Sequence, residues 1–335
     1  MANRYVNVVI SRQTQPVARQ GFGMPLVVAT EKALSYKEYT TLAEVGADLA
    51  ESTETYKLVQ ALFAQTPRPA KVAIVGVVFT EGTTEVTALT DLLNTTRLSK
   101  DEWYYLLSAA QAEATVTALS SWAAANGKFY FLSTSSKTLS GTLNSDHTVV
   151  MVHPTPKTYP AAAWVGACSP KDVGSFTWTF KTLNGIAPAG YTQAEIDEIE
   201  AAKGSTYIKE AGVNITSKGQ TTSGEYIDIV QGQDYISSRM AEDVFGLFTR
   251  TDKVPFTAQG IALIVAEVEK VLKQANVKGI IASDADGKPL YSVSAPDITE
   301  VSQNDKAKRT LPNLKWTATL AGAIEDVDIQ GTLIL

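Results

Sequence analysis

Few side chains in this sequence have the types and spacing that do chemistry. His147 and His153 flank the apolar run HTVVMVHP. A metal held between them would need further ligands, and none stands at a useful spacing. Both read as structural or surface histidines. Cys168, in GACSP, is the single cysteine. It has no nucleophile signature around it and reads as a small buried thiol. Asp284, Asp286 and Gly287 open DADGK like a calcium loop, but the following PLYSVS supplies neither the further oxygen ligands nor the terminal glutamate. A tight turn is expected there. GFG at 21–23 lacks the glycine spacing and the Lys-Ser/Thr pair of a phosphate loop. NTT and NIT match a glycosylation sequon, which matters only in a secreted chain. Asp305 and Arg309 in NDKAKRT are spaced i,i+4 and could pair on a helix. A solvated loop and an inter-subunit electrostatic contact both fit that spacing. No catalytic set converges, so no enzyme activity, cofactor or metal is expected.

The composition bounds the class. A chain of 335 residues can bury a large core and has room for two lobes. With 44% hydrophobic and 19% charged residues it is globular and slightly charge-poor. Acidic residues outnumber basic ones by six, which argues against a nucleic-acid surface. One cysteine rules out an intramolecular disulfide and fits a reducing compartment, or a virion assembled in one. MANRYVNVVI has no long apolar core of the secretory kind, so a non-secreted chain is expected. No apolar run approaches the roughly 18 residues of a membrane helix.

Strands and helices alternate from about Leu26 to Ile229. PLVVAT, KVAIVGVVF, EWYYLLSA, KFYFLST and TVVMVHP read as strands, several of them apolar on both faces. Between them STETYKLVQALFAQTPRP predicts a helix capped by Ser52 and stopped by Pro67 and Pro69. TEVTALTDLLNTT and AEATVTALSSWAAANG predict two more, the second closed by Gly127. A strand is expected with Phe176, Trp178 and Phe180 on one face. TQAEIDEIEAAKG opens with a capping box, Thr192 and Glu195, and TYIKEAG and EYIDIV read as further strands. This order predicts an α/β fold with a mostly parallel central sheet and flanking helices.

From Gln231 the pattern changes. Two long helices are expected, with Ile236, Met240, Val244, Leu247 and Phe248 inward on the first and Ile261, Ile264, Val265, Val268 and Leu272 on the second. PLYSVSAP and LPNLKWTATL add two strands, giving a smaller α+β C-terminal domain. Two strands alone make a marginal sheet with open edges. IEDVDIQGTLIL then alternates Val327, Ile329, Leu333 and Leu335 with polar residues, including Asp326 and Asp328. RYVNVVISRQTQP does the same with Val6, Val8 and Ile10. Both predict half-buried strands, and at the C-terminal end no partner strand follows in the sequence.

Several stretches together resemble the sheath proteins of contractile bacteriophage tails. The segment from EVGADLAES to AKVAIVG resembles the family's N-terminal signature, carried here by Asp48, Phe63, Gln65, Pro67 and Pro69. Lys181, Leu183, Gly185, Ile186 and Pro188 match its middle loop. Asp228 and Asp234 match the next segment, where the family usually has Trp in place of Tyr235. Asp305, Arg309, Ala321, Gly322, Ala323, Ile324 and Gly331 match its C-terminal end. Each motif is weak alone, but their order and spacing over most of the chain are specific.

The resemblance implies a structural subunit that polymerises helically around a tail tube and contracts, driving the tube through the host envelope. It implies terminal arms that add strands to neighbouring subunits, completing the small sheet. The chain then divides into an N-terminal exchange arm (1–20), an α/β sheath domain (21–230), a C-terminal α+β domain (231–320) and a C-terminal exchange arm (321–335). Interface residues would be Val6, Val8, Ile10, Asp305, Arg309, Val327, Ile329, Leu333 and Leu335. Partners would be further copies, the tail tube protein, and baseplate and terminator proteins, with no nucleic acid and no membrane insertion. The location would be the virion tail, assembled in the host cytoplasm. The alternative is a cytosolic α/β enzyme or ligand-binding protein whose terminal strands pair within one chain. A tail-tube protein would be largely β-barrel, which the helix-rich sequence opposes.

Overall fold

The computed structural model describes residues 21–78 and 86–330. The first half contains β1 (Pro25–Ala29), β2 (Leu34–Tyr39), α1 (Leu42–Asp48), α2 (Glu54–Phe63), β3 (Val72–Gly76), α3 (Val86–Ser99), β4 (Tyr105–Ser108), α4 (Glu113–Asn126), β5 (Phe129–Thr134), α5 (Ser140–Leu143), β6 (Thr148–Val152) and α6 (Pro160–Cys168). Then come α7 (Gln193–Ala201), β7 (Ser205–Glu210), β8 (Val213–Thr216), α8 (Ile227–Arg250), α9 (Ala258–Val277), β9 (Tyr291–Ser294), α10 (Gln303–Ala307) and β10 (Lys315–Ala318).

Eight strands form one sheet in the order β2-β3-β1-β4-β5-β6-β7-β8. From β3 across to β7 they run parallel, and β2 and β8 pair antiparallel at the two edges. The mostly parallel α/β architecture expected from the sequence is therefore present. β1 illustrates why such strands read as unbroken apolar runs. Leu26 and Val28 join one apolar cluster, while Val27 and Ala29 join the other. With both faces covered by helices, no polar face is needed.

On one face α3, α4 and α7 bury Leu89, Leu93, Leu119, Trp122 and Ile199. On the other, α2 and α6 bury Leu58, Leu62 and Trp164, and α8 and α9 add Ile227, Val230, Ile236, Val268 and Leu272. One apolar cluster thus runs from the parallel sheet into the last two long helices. Gly127 ends α4 in the left-handed conformation at φ 60°, and the Thr192–Glu195 capping box opens α7.

Local structure departs from the sequence reading in four places. Thr53, not Ser52, caps α2, its hydroxyl accepting from the Tyr56 amide at 3.3 Å. Residues 225–230 are not a strand: Tyr226 caps α8, and Ile227, Val230 and Gln231 continue into that helix's buried stripe. So short an apolar run fits either period. Phe176, Trp178 and Phe180 do not share a strand face. Trp178 is buried, but Phe180 turns outward at a left-handed φ of 60°. The sheet edge beyond β7 is formed by β8, paired to β7 from Tyr207–Thr216 to Glu210–Val213. Phe248, expected inward on α8, is also exposed.

In open parallel sheets a ligand crevice forms at the carboxyl ends of the strands where the order reverses. Here that place is beside β1. On the β3 side it is covered by the turn between β1 and β2. A Cβ at Gly76 would collide with the Lys32 carbonyl, and the Glu31 carboxylate accepts from the Thr55 amide and hydroxyl, both at 2.9 Å.

The long helix α8 is tied to the sheet by buried polar groups. The Trp178 indole donates to Gln231 Oε1 at 3.0 Å, and Gln231 Nε2 donates to the Tyr105 hydroxyl at 2.5 Å. The Trp164 indole donates to the Trp178 carbonyl at 2.9 Å, and Trp178 stacks on Phe131 at 5.0 Å. Gln231→Leu would leave the Trp178 N–H and the Tyr105 hydroxyl buried without this partner. At about 1–3 kcal/mol for each orphaned group, a loss of about 2–6 kcal/mol is expected in urea denaturation. A loss below 1 kcal/mol would mean that the link is dispensable.

Candidate assembly interface

The resemblance motifs lie far apart in sequence but are built into joints. Gln65, just after α2, grips the 183–185 loop. Its Nε2 donates to the Asn184 carbonyl at 3.0 Å, and its Oε1 accepts from the Asn184 amide at 2.9 Å. Asp48, at the end of α1, accepts from the Tyr39 hydroxyl at 2.9 Å and pairs with Lys37 at 2.6 Å, which holds its carboxyl below the usual carboxylate range. Asp234 on α8 accepts from the Tyr104 hydroxyl at 2.6 Å and meets His147 Nε2 at 3.0 Å. Tyr235 packs near Phe22, with the Arg239 guanidinium over its ring.

α8 and α9 fold back on each other. Lys270 bridges Asp243 at 2.9 Å and Glu267 at 3.1 Å, and Arg250 pairs with Glu267. Beside them β9 and β10 form a separate antiparallel pair, with Tyr291 opposite Ala318 and Val293 opposite Trp316. Tyr291, Val293 and Ala318 pack on the core. No third strand joins this sheet among the described residues. It is the small, open sheet that the sequence predicted.

Beyond β10 the chain is sewn to the end of α9. Leu320 bridges Ile281, and the Ala321 amide donates to the Ile280 carbonyl at 2.9 Å. Then regular structure stops: residues 321–330 form neither strand nor helix. Ile324, Val327 and Ile329 are 87%, 67% and 85% exposed. Asp326 and Asp328 are exposed as well, so neither face of this alternating segment is covered within its own subunit. Glu325 is the exception and touches Thr177 and Thr179.

Val6, Val8, Ile10, Leu333 and Leu335 lie outside the described residues. Asp305 and Arg309 are both at the surface, but not as an i,i+4 pair. α10 stops at Ala307, and Arg309 takes a left-handed φ of 57°. Asp305 accepts instead from the Ser302 hydroxyl at 2.7 Å, closing the helix N-terminus.

Residues 227–333 match the family model for "E217 tail sheath protein gp31-like, C-terminal domain". The match makes these residues similar to a tail sheath C-terminal domain. Beyond that stretch, solved sheath structures share the fold of nearly the whole chain. The helical sheath of the anti-feeding prophage in its contracted state superimposes with a TM-score of 0.72 at 14% identity, covering 99% of this chain and 98% of that one. The contracted sheath complex of an extracellular contractile injection system, PVC, gives 0.72 at 12% identity over 99% and 98%. A sheath tail protein from Listeria innocua gives 0.57 at 9% identity over 84% and 90%. At these identities the likeness is one of fold. No curated protein matches the chain.

The residues first weighed for chemistry have structural partners. His153 Nε2 meets the Ala187 carbonyl at 2.9 Å, and its Nδ1 accepts from the Thr155 amide at 3.2 Å. Cys168 is buried, and burial pushes its thiol up to about 12, away from the reactive thiolate. Asp284 Oδ1 accepts from the amides of Asp286 and Lys288, which makes DADGK the expected turn. Among the described residues no group of three or more His, Cys, Asp or Glu is placed to hold a metal, and no helix is long and apolar enough to cross a membrane. The buried links Gln65–Asn184, Asp234–Tyr104 and Gln231–Trp178 escaped the reading from residues. Their only signals were motif membership for Gln65 and Asp234, and a glutamine inside an apolar helix stripe for Gln231.

Because Ile324, Val327 and Ile329 are solvated in the subunit, polar substitutions there should spare its stability. Val327→Asp with Ile329→Asp is expected to change the unfolding free energy in urea by no more than about 0.5 kcal/mol, the range of ordinary surface changes. Arg309→Ala should be equally mild. A loss above 1 kcal/mol in either would place those side chains in the subunit's own core.

Proposed function

We propose that this chain is the sheath subunit of a contractile tail or tail-derived injection particle. It polymerises helically around a tail tube, with further copies of itself as its main partner and the tube, baseplate and terminator proteins as the others. Contraction of the helix drives the tube through the target envelope. The chain acts by packing and not by bond chemistry, needs no cofactor, binds no nucleic acid and does not insert into a membrane. It works in the virion tail after assembly in the host cytoplasm.

The observation that carries this reading is the bare segment at 324–330 beside an open two-stranded sheet, in a domain of tail sheath type. An alternating apolar strand and an unpaired sheet edge on the same molecule are complementary halves of one contact. Because they are different surfaces, the contact is heterologous, and repeating it gives an open helix. Charge supports the pairing: Asp326 and Asp328 on the segment would face, in another copy, the Lys306, Lys308, Arg309 and Lys315 of the α10–β10 stretch. Residues 1–20 would serve as a second arm, with 21–230 as the α/β body and 231–320 as the domain that receives the strands.

The energetics fit a subunit that stays single until it assembles. Each of Val327, Ile329, Leu333 and Leu335 gains about 1.5–3 kcal/mol on full burial. Ladder hydrogen bonds add about 0.5–1.5 kcal/mol each, while ordering the backbone costs about 1–2 kcal/mol per residue. One arm alone nets little. In a lattice every copy gives and receives strands, and the linked contacts reinforce one another through high effective concentration.

Deleting residues 326–335 should leave a folded subunit, with its helical circular dichroism intact, that forms no tubes by negative stain. Tubes of normal length from the truncated chain would refute strand exchange by this segment, and a loss of helical signal would assign the strand to its own domain.

A further inference from the structure

Among the described residues, the C-terminal segment from Ile324 on is bare except at one point. Glu325 lies across the 177–179 turn, where its carboxylate accepts from the Thr177 hydroxyl and, at 3.0 Å, from the Thr179 hydroxyl. These are charge-assisted bonds, the stronger kind for their length. The turn beneath them is rigid. Trp178, between the two threonines, is buried and bonded to Gln231. Gly174 lies so close to the end of α9 that a Cβ there would collide with Ile280. Lys278 pairs with Asp172 at 3.3 Å just upstream.

Between the last backbone bond at Ala321 and the carboxylate of Glu325 the chain is loosely held. Gly322 is left-handed at φ 61°, and an added Cβ there would meet nothing within 4 Å. Ala323 is exposed, and the stretch borders a cavity of about 260 Å³ lined by Gly174, Phe176, Asp228, Ile280, Leu320 and Gly322, among others. Burial raises the Asp228 carboxyl, and the Glu325 charge raises it further, while that same charge works against the burial that lowers Lys181. Glu325 is thus a point contact between the segment and the α/β body, made of two hydroxyls and little apolar packing.

We infer that Glu325, held by Thr177 and Thr179, is a positioning residue that aims the assembly segment 326–330 away from its own subunit before it meets another copy. This rests on the proposed function, since it concerns how the same segment is presented. The anchor does two things. It keeps the alternating apolar residues from folding back onto the subunit's own β9–β10 edge. It also removes part of the ordering cost of docking in advance, as preorganisation does in other associations. The left-handed Gly322, with open space around it, would otherwise let the segment swing. The anchor's seat is on the α/β body while the segment leaves from the C-terminal domain, so it also fixes the two relative to each other.

The test uses the full chain and two readouts. Cys168 is buried, so a nitroxide label on Val327→Cys reports the segment selectively. In the free subunit this label should be restricted in the parent and sharply more mobile when Thr177→Val and Thr179→Val, or Glu325→Ala, are added. The critical concentration for tubes, measured on the same substitutions without the label, should rise about tenfold, which is about 1.4 kcal/mol of lost preorganisation. Glu325→Ala guards against a packing defect, since its side chain lies on the outer side of the contact. Equal label mobility and an unchanged critical concentration in both variants would overturn the anchor. If the parent chain forms no tubes at all, the sheath reading fails, and the label mobility in the free subunit still decides the anchor.

Discussion

Gln231 joins the Trp178 indole to the Tyr105 hydroxyl inside the core, and through it the long helix α8 is fixed to the parallel sheet. Much of the rest follows from that tie. α8 carries α9, the turn after α9 carries Leu320 and Ala321, and the bare segment starts there. Asp234, one turn further along α8, binds Tyr104 and His147 and repeats the tie at the starts of β4 and β6. These ties are hydrogen bonds in or at the edge of the core, whose loss strands polar groups away from water.

The opposite design rules at the surface. The β9–β10 sheet has two strands, which is too few for independent stability, and it survives by laying Tyr291, Val293 and Ala318 on the core. Its edges and the segment 324–330 are left without cover. Single exposed apolar residues are ordinary on proteins. Here Ile324, Val327 and Ile329 are exposed in one alternating run, on a molecule that also carries a two-stranded sheet.

How far the sequence could be read depended on how local the signal was. Val72–Gly76 and Phe129–Thr134 are apolar on both faces, so they announced a covered parallel sheet, and Gly127 and the Thr192–Glu195 box marked helix ends. The 225–230 stretch misled because six residues cannot separate a strand from the first turn of a helix. The Phe176-Trp178-Phe180 alternation misled because Phe180 breaks it with a left-handed backbone that side-chain type does not reveal. At the candidate interface, the alternation of Val327 and Ile329 and the shortage of partner strands were readable. The joints were not, because Asp234 lies 130 residues from Tyr104 and 87 from His147, and Glu325 lies 146 from Thr179. Such pairs leave no periodic trace in a single chain.

Electron cryomicroscopy of the purified full-length protein tests the central claim most directly. The account predicts helical tubes in which residues 324–330 of each subunit run as a strand along the β9–β10 sheet of another copy, with Val327 and Ile329 buried there. Discrete small oligomers, or tubes in which that segment stays solvated or folds back on its own subunit, would contradict it.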